Sequence, residues 1–218
     1  MRLIIFDVDG TLVDSQNFIV EAMGRAFRAF GLEPPTRERA LSIVGLSLDE
    51  AFIVLTGDAA LSPKLSDAYR AAWQQMRHDP DYQDGLYPGA KECVEFLGKQ
   101  PDTILGIATG KSMRGVRHLF EQCGWDGLFA TVQTSDHHPS KPAPQMILSA
   151  LAETGIDAKH ACMIGDTTYD MSMAKSAGVR GIGVKWGYHP HEHLVEAGAE
   201  CVVGSFEELL RRLSLGEY

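Results

Sequence analysis

Two different periodicities run along the chain. Leu3 to Phe6 is an unbroken apolar run, the length of a strand covered on both faces. From Gln16 the period changes, and Phe18, Ala22, Ala26, Ala29 and Phe30 recur at helical spacing until Gly31 stops the run. Further helices are predicted at Arg37–Ile43, Leu48–Leu55 and Ser66–Arg77, separated by Pro34-Pro35, a turn at Gly45 and the region of Gly57 and Pro63. Strand signals are weak from Gln16 to Tyr82, which reads as an all-helical insert.

From Tyr87 onward short apolar runs alternate with amphipathic segments, the pattern of βαβ units on a mostly parallel sheet. Strands are predicted at Thr103–Ala108, Leu128–Thr131, Ala161–Ile164, Gly181–Val184 and Cys201–Val203. Helices are predicted at Gly89–Lys99, Met113–Gln122, Pro144–Glu153, Tyr169–Ala177, His193–Ala197 and Phe206–Leu213. The predicted fold is α/β: a Rossmann-like parallel-sheet core from residues 1–14 and 86–218, with an all-helical cap domain at 15–85 inserted after the first strand.

Composition narrows the class. At 218 residues, 44% hydrophobic and 22% charged, the chain suits one enzyme-sized unit with a smaller accessory domain. A formal net charge of −9 without a Lys/Arg cluster argues against nucleic acid and anionic membranes as partners. Cys93, Cys123, Cys162 and Cys201 lack CxxC spacing, as expected of reduced thiols rather than zinc ligands. No apolar run approaches the roughly 20 residues that span a bilayer, and Met1 leads almost directly into the first strand. The expectation is a cytoplasmic protein, monomer or homodimer, acting on a small molecule.

The candidate chemistry lies where predicted strands end, the edge at which open parallel sheets bind ligands. Asp7 and Asp9 follow the first strand two residues apart, so extended backbone would aim both at one atom, one as nucleophile and one as proton donor. Solvated acids in a turn are the alternative for an isolated pair. Asp166 and Asp170 follow another strand at i, i+4 spacing, although Asp166 alone reads as an ordinary helix N-cap. If those strands are neighbours, four acids converge, which is unfavourable without a cation; hard oxygen ligands favour Mg²⁺. Thr109-Gly110 offers a hydroxyl and N–H groups, and Lys141 a point charge, all phosphate ligands by type.

DVDGT at Asp7, ATGKS with Thr109, SKPAP with Lys141 and GDTTYD with Asp166 and Asp170 occur in that order. With these motifs the chain resembles the haloacid-dehalogenase-like hydrolases, in the phosphatase branch with a helical cap. The late segment GVKWGYH, Gly183–His189, further resembles the phosphoglycolate phosphatase subgroup. The resemblance implies a Mg²⁺-dependent phosphatase acting on a small, phosphoglycolate-like monoester. Asp7 would form an aspartyl-phosphate, and Asp9 would protonate the leaving oxygen and then activate water. Asp7, the Asp9 carbonyl and Asp166 would bind the metal, with Asp170 supporting it directly or through water. Thr109, Gly110 and Lys141 would hold the phosphoryl oxygens. Asp9 favours phosphoryl chemistry over dehalogenation. The mutase His and Arg, expected near Ile19 and near Ser47 or Leu48, are absent, which places hydrolysis above phosphomutase activity. A pyrophosphatase, a sugar phosphomutase and a catalytically silent phosphate-ester binder remain the alternatives.

Other conspicuous residues receive plainer expectations. Asp14-Ser15 and Tyr82–Tyr87 are the expected hinges, and the turn Val44–Ser47 the expected face toward substrate. His189, His191 and His193 read as exposed loop residues because Pro190 disrupts helix geometry, while His137-His138 could line the site entrance. Trp73 and Trp125 read as packing residues, and Trp186 follows a strand end.

Overall fold

A computed structural model of the chain describes residues 1–76, 79 and 85–215. In chain order its elements are β1 (Arg2–Phe6), β2 (Val13–Asp14), α1 (Gln16–Ala29), α2 (Arg37–Leu41), α3 (Leu48–Thr56), α4 (Ser62–Met76), β3 (Gly85–Leu86), α5 (Ala90–Gly98), β4 (Thr103–Thr109), α6 (Met113–Cys123), β5 (Thr131–Thr134), α7 (Gln145–Thr154), β6 (Ala161–Gly165), α8 (Thr168–Ala177), β7 (Arg180–Val184), α9 (His191–Glu196), β8 (Cys201–Val203) and α10 (Phe206–Leu215). The end of the fourth predicted helix at Arg77 and the first part of the second expected hinge, 82–84, lie outside the described residues.

Six strands form one parallel sheet in the order β5-β4-β1-β6-β7-β8. Period-two alternation divides β1 between two cores: Ile4 and Phe6 face one side, with Cys93, Val94, Val116 and Leu209 from α5, α6 and α10. Leu3 and Ile5 face the other, with Met146, Ile147 and Met173 from α7 and α8. Burial on both faces explains why the central strands read as unbroken apolar runs. The helices between β2 and β3 enclose a separate apolar cluster that includes Met23, Phe27, Phe52 and Leu65. β2 and β3 pair antiparallel, so the outgoing and returning connections run side by side.

Some elements depart from the sequence pattern for identifiable reasons. The apolar Leu128 and Phe129 suggested a strand, but Phe129 stacks on Phe120 with ring centroids 5.0 Å apart. The strand is the polar TVQT instead, where Thr131 Oγ1 and Gln133 Nε2 donate to Glu153 Oε2 at 2.5 and 2.8 Å. α4 starts at Ser62, so Pro63 sits in the first turn, where no N–H is needed, rather than breaking the helix. Likewise Pro190 precedes α9, which carries His191 and His193 in a helix rather than a loop.

Candidate active site

β4, β1 and β6 are adjacent, so the residues at their carboxyl ends emerge side by side: Thr109 as the last residue of β4, Asp7 just past β1, and Asp166 just past β6. Lys141 arrives from the loop between β5 and α7. All four are at most 1% exposed. Asp170 enters from the first turn of α8, where it completes a capping box with Thr167. Thr167, not Asp166, is therefore the helix N-cap, which leaves the Asp166 carboxylate available for other work.

Lys141 binds these acids together. Its Nζ lies 2.9 Å from Asp7 Oδ1 and 2.7 Å from Asp170 Oδ1. Asp170 Oδ2 accepts from the Thr167 N–H at 3.0 Å and the Thr167 hydroxyl at 2.7 Å, so both its oxygens are engaged. Asp166 accepts from the Thr11 hydroxyl at 2.8 Å and the Tyr188 N–H at 2.9 Å. Asp7 differs: beyond the ion pair, neither oxygen accepts an aligned hydrogen bond among the described residues. Burial pushes the Asp7 carboxyl up to about 7, opposed by Lys141 and assisted by Asp170. Burial, then Asp170 and Asp7, likewise hold Asp166 well above the usual carboxylate range. Burial works against the Lys141 charge, but Asp170 and Asp7 outweigh it and raise its pKa.

Asp9 turns to different partners. Lys111 Nζ donates to its Oδ1 and Oδ2 at 2.8 and 3.1 Å, and the Ser15 hydroxyl donates to Oδ1 at 2.7 Å. Its carboxylate is thus outside the Asp7–Asp166–Asp170 cluster, and the structure separates the two acids of the first motif by environment. Lys111, Thr11, Ser15 and Tyr188 were not predicted as site residues. Lys111 stands inside the ATGKS motif, but its partner Asp9 is 102 residues away, a pairing that no local pattern carries.

Asp7, Asp9, Thr109 and Gly110 line a cleft of about 570 Å³. The helical insert forms its other wall through Ile19, Met23, the turn Val44–Ser47, Tyr69 and Trp73, while Lys111 and Arg114 supply cations. Trp73, expected only to pack, both tilts against Phe18 with ring centroids 5.6 Å apart and faces this cleft. Val44–Ser47 comes so close that a Cβ on Gly110 would stand 2.6 Å from the Leu46 carbonyl oxygen. The Ser47 N–H donates to Ser140 Oγ at 2.8 Å, next to Lys141. His189 is half-buried rather than exposed: Nδ1 accepts from the Thr168 N–H at 3.1 Å, leaving Nε2–H to donate to the Ser42 carbonyl at 3.2 Å. His137 and His138 do not line the cleft, and His138 pairs with Gln133 Oε1 at 2.7 Å.

The acids also pass a test for a cation. Asp7, Asp166 and Asp170 each present an oxygen within 4.8 Å of the others, all three side chains buried. Three buried carboxylates beside Lys141, with no well-aligned donor on Asp7 among the described residues, form the hard all-oxygen donor set that suits a divalent ion.

Residues 4–184 match the family described as Haloacid dehalogenase-like hydrolase. The chain is 35% identical over 212 residues to the "Probable phosphatase IndB" of Dickeya dadantii, covering 95% of this chain and 91% of that protein. It is 32% identical over 221 residues to the "Phosphoglycolate phosphatase" of Vibrio parahaemolyticus, covering 96% and 95%. Among solved structures, a hydrolase from Pseudomonas syringae superposes with a TM-score of 0.86 at 26% identity, over 99% of each chain.

Proposed function

The chain belongs to the haloacid dehalogenase-like hydrolases and is a phosphatase of that family, and from this premise we propose that it hydrolyses a small phosphate monoester through an aspartyl-phosphate on Asp7. The observation that supports this reading most is the contrast between Asp7 and Asp9. Asp7 is buried at a strand end facing the cleft, with a cation at 2.9 Å and, among the described residues, no well-aligned donor on its carboxylate. Asp9 lines the same cleft but is held by Lys111 and Ser15.

The roles follow from those positions. Asp7 attacks phosphorus, and Asp9 gives its proton to the leaving oxygen. Asp9 then takes a proton from the water that attacks the phosphoenzyme, releasing phosphate and restoring Asp7. The Thr109 hydroxyl, the Gly110 N–H and the Lys141 ammonium are the groups to hold the phosphoryl oxygens, where fixed charge counts for more than in water. Mg²⁺ held by Asp7, Asp166 and the Asp9 carbonyl, with Asp170 behind them, would supply charge neutralisation at those oxygens. Asp170, with both oxygens engaged, serves first to fix Lys141.

Lys111 and Arg114 in the cleft favour a second anionic group on the substrate, as a phosphoglycolate-like ester has. A second reading widens the organic group. The insert's wall of Ile19, Met23, Ile43, Val44, Leu46 and Trp73 offers apolar surface that a glycolyl group would leave uncovered. The test is phosphate release from a panel including phosphoglycolate, sugar phosphates, bulkier apolar esters and pyrophosphate, with Mg²⁺ or EDTA. Metal-dependent release, absent in Asp7→Asn, is expected. Full activity in that variant would remove Asp7 as nucleophile.

A further inference from the structure

Ser15 stands where a serine ordinarily caps a helix, directly before α1, yet its side chain makes no cap bond. It is 1% exposed, and its hydroxyl donates instead to Asp9 Oδ1 at 2.7 Å. With that single proton committed, the 3.1 Å contact between the Ser15 and Tyr188 hydroxyls runs from Tyr188 to Ser15. The Ser15 N–H, 3.3 Å from the same phenol oxygen, donates back to it. The hydrogen bonds therefore have one direction, Tyr188 to Ser15 to Asp9. A forgone serine cap weakens a helix end, so the hydroxyl's placement is better explained by Asp9 than by α1.

Asp9 requires this help because its other partner is indifferent. Lys111 Nζ sits 2.8 Å from Oδ1 and 3.1 Å from Oδ2 and so barely distinguishes the two oxygens. Ser15 contacts Oδ1 alone. Tyr188 is tied at two further points: its N–H donates to Asp166 Oδ2 at 2.9 Å, and its side chain packs against the insert's apolar cluster.

We propose that Ser15 and Tyr188 are positioning residues for Asp9, a relay that anchors Oδ1 and so fixes the rotation of the carboxyl group in the cleft. The inference rests on the phosphatase reading above. As the bond from Asp7 to phosphorus forms and the bond from phosphorus to the leaving oxygen breaks, a proton passes from the correctly rotated Asp9 carboxyl to that oxygen. An alkyl ester needs this proton, because an alkoxide leaves poorly. A p-nitrophenyl ester needs it far less.

The test compares kcat/KM with Mg²⁺ for the best alkyl ester of the panel and for p-nitrophenyl phosphate, in wild type, Ser15→Ala, Tyr188→Phe and the double variant. Each single variant is expected to lose about tenfold or more on the alkyl ester through kcat, part of the 10²–10⁴-fold that a general acid supplies, with KM unmoved. Loss on p-nitrophenyl phosphate is expected to stay below about threefold, which also shows that the variants are folded. The double variant should lose no more than Ser15→Ala, since Tyr188 acts through Ser15. Equal losses on both esters, no loss on either, or multiplicative losses in the double variant would overturn the relay while leaving the phosphatase reading in place. No turnover of either ester by the wild type would overturn both.

Discussion

Asp166 is held by backbone as much as by hydrogen bonds. A Cβ built on either Gly10 or Gly187 would overlap its carboxylate, so two glycines from distant segments close around one acid. Gly10 also has φ +84°, which favours glycine on its own account. Gly187 does not, which makes it the cleaner probe of contact alone. Gly187→Ala should therefore displace Asp166 and raise the Mg²⁺ concentration for half-maximal activity by roughly 10–100-fold, the usual scale for disturbed ligand support. Gly204→Ala, whose Cβ would meet only Glu208 Oε2 at an ordinary 3.6 Å, serves as the control. A metal titration that superposes the two variants would refute this account. Asp166 itself was recognisable in the sequence from its place after a strand. The glycine clamp was not, because Gly187 lies in a loop whose approach to β6 is set by the sheet order.

Among elements, the contact that decides the cleft is between the insert's α2–α3 turn and the loops of the sheet. His189 belongs to it, joining the Thr168 N–H at the start of α8 to the Ser42 carbonyl after α2. Burial lowers its pKa from the ordinary 6.5, with partial compensation from the Ser42 carbonyl and Asp170. Protonation would also remove the acceptor for Thr168. The unfolded chain then binds more protons than the folded one, so stability present above about pH 6.5 is lost as pH falls through the folded value. Denaturant midpoints of wild type and His189→Gln should accordingly converge between pH 7.5 and 5. Parallel curves would show that His189 does not titrate in this contact. The sequence placed most helices to within a residue or two, because helical periodicity and glycine stops are local. It missed the β2–β3 pair, whose two residues per strand carry no period.

For the whole molecule the dominant feature is the set of acids gathered at the end of a buried sheet, with Lys141 paired to Asp7 and Asp170 and Lys111 to Asp9. Without metal, Asp7 is raised to about 7 and Asp166 well above its usual range. Between about pH 4 and 7 the folded chain holds protons that the unfolded chain has released, so its stability falls as pH rises through that window. Mg²⁺ binding should offset this loss. The rise in Tm on adding Mg²⁺ should be small at pH 5 and largest near pH 8. A rise independent of pH would argue that the metal sits elsewhere.

The sequence by itself determined the α/β alternation, the helical insert and the strand ends that carry the acids, because periodicity and turn chemistry act over a few residues. It also carried the motif order that marks the family. Which partner each acid takes was decided by the tertiary structure alone. Asp7 and Asp9 are two residues apart, yet one meets Lys141 and the other Lys111 and Ser15. Parallel strand order brings Lys141 to Asp7, and the return of the insert brings Val44–Ser47 over Gly110. Such pairings depend on distances between chain segments that meet only once the sheet has assembled.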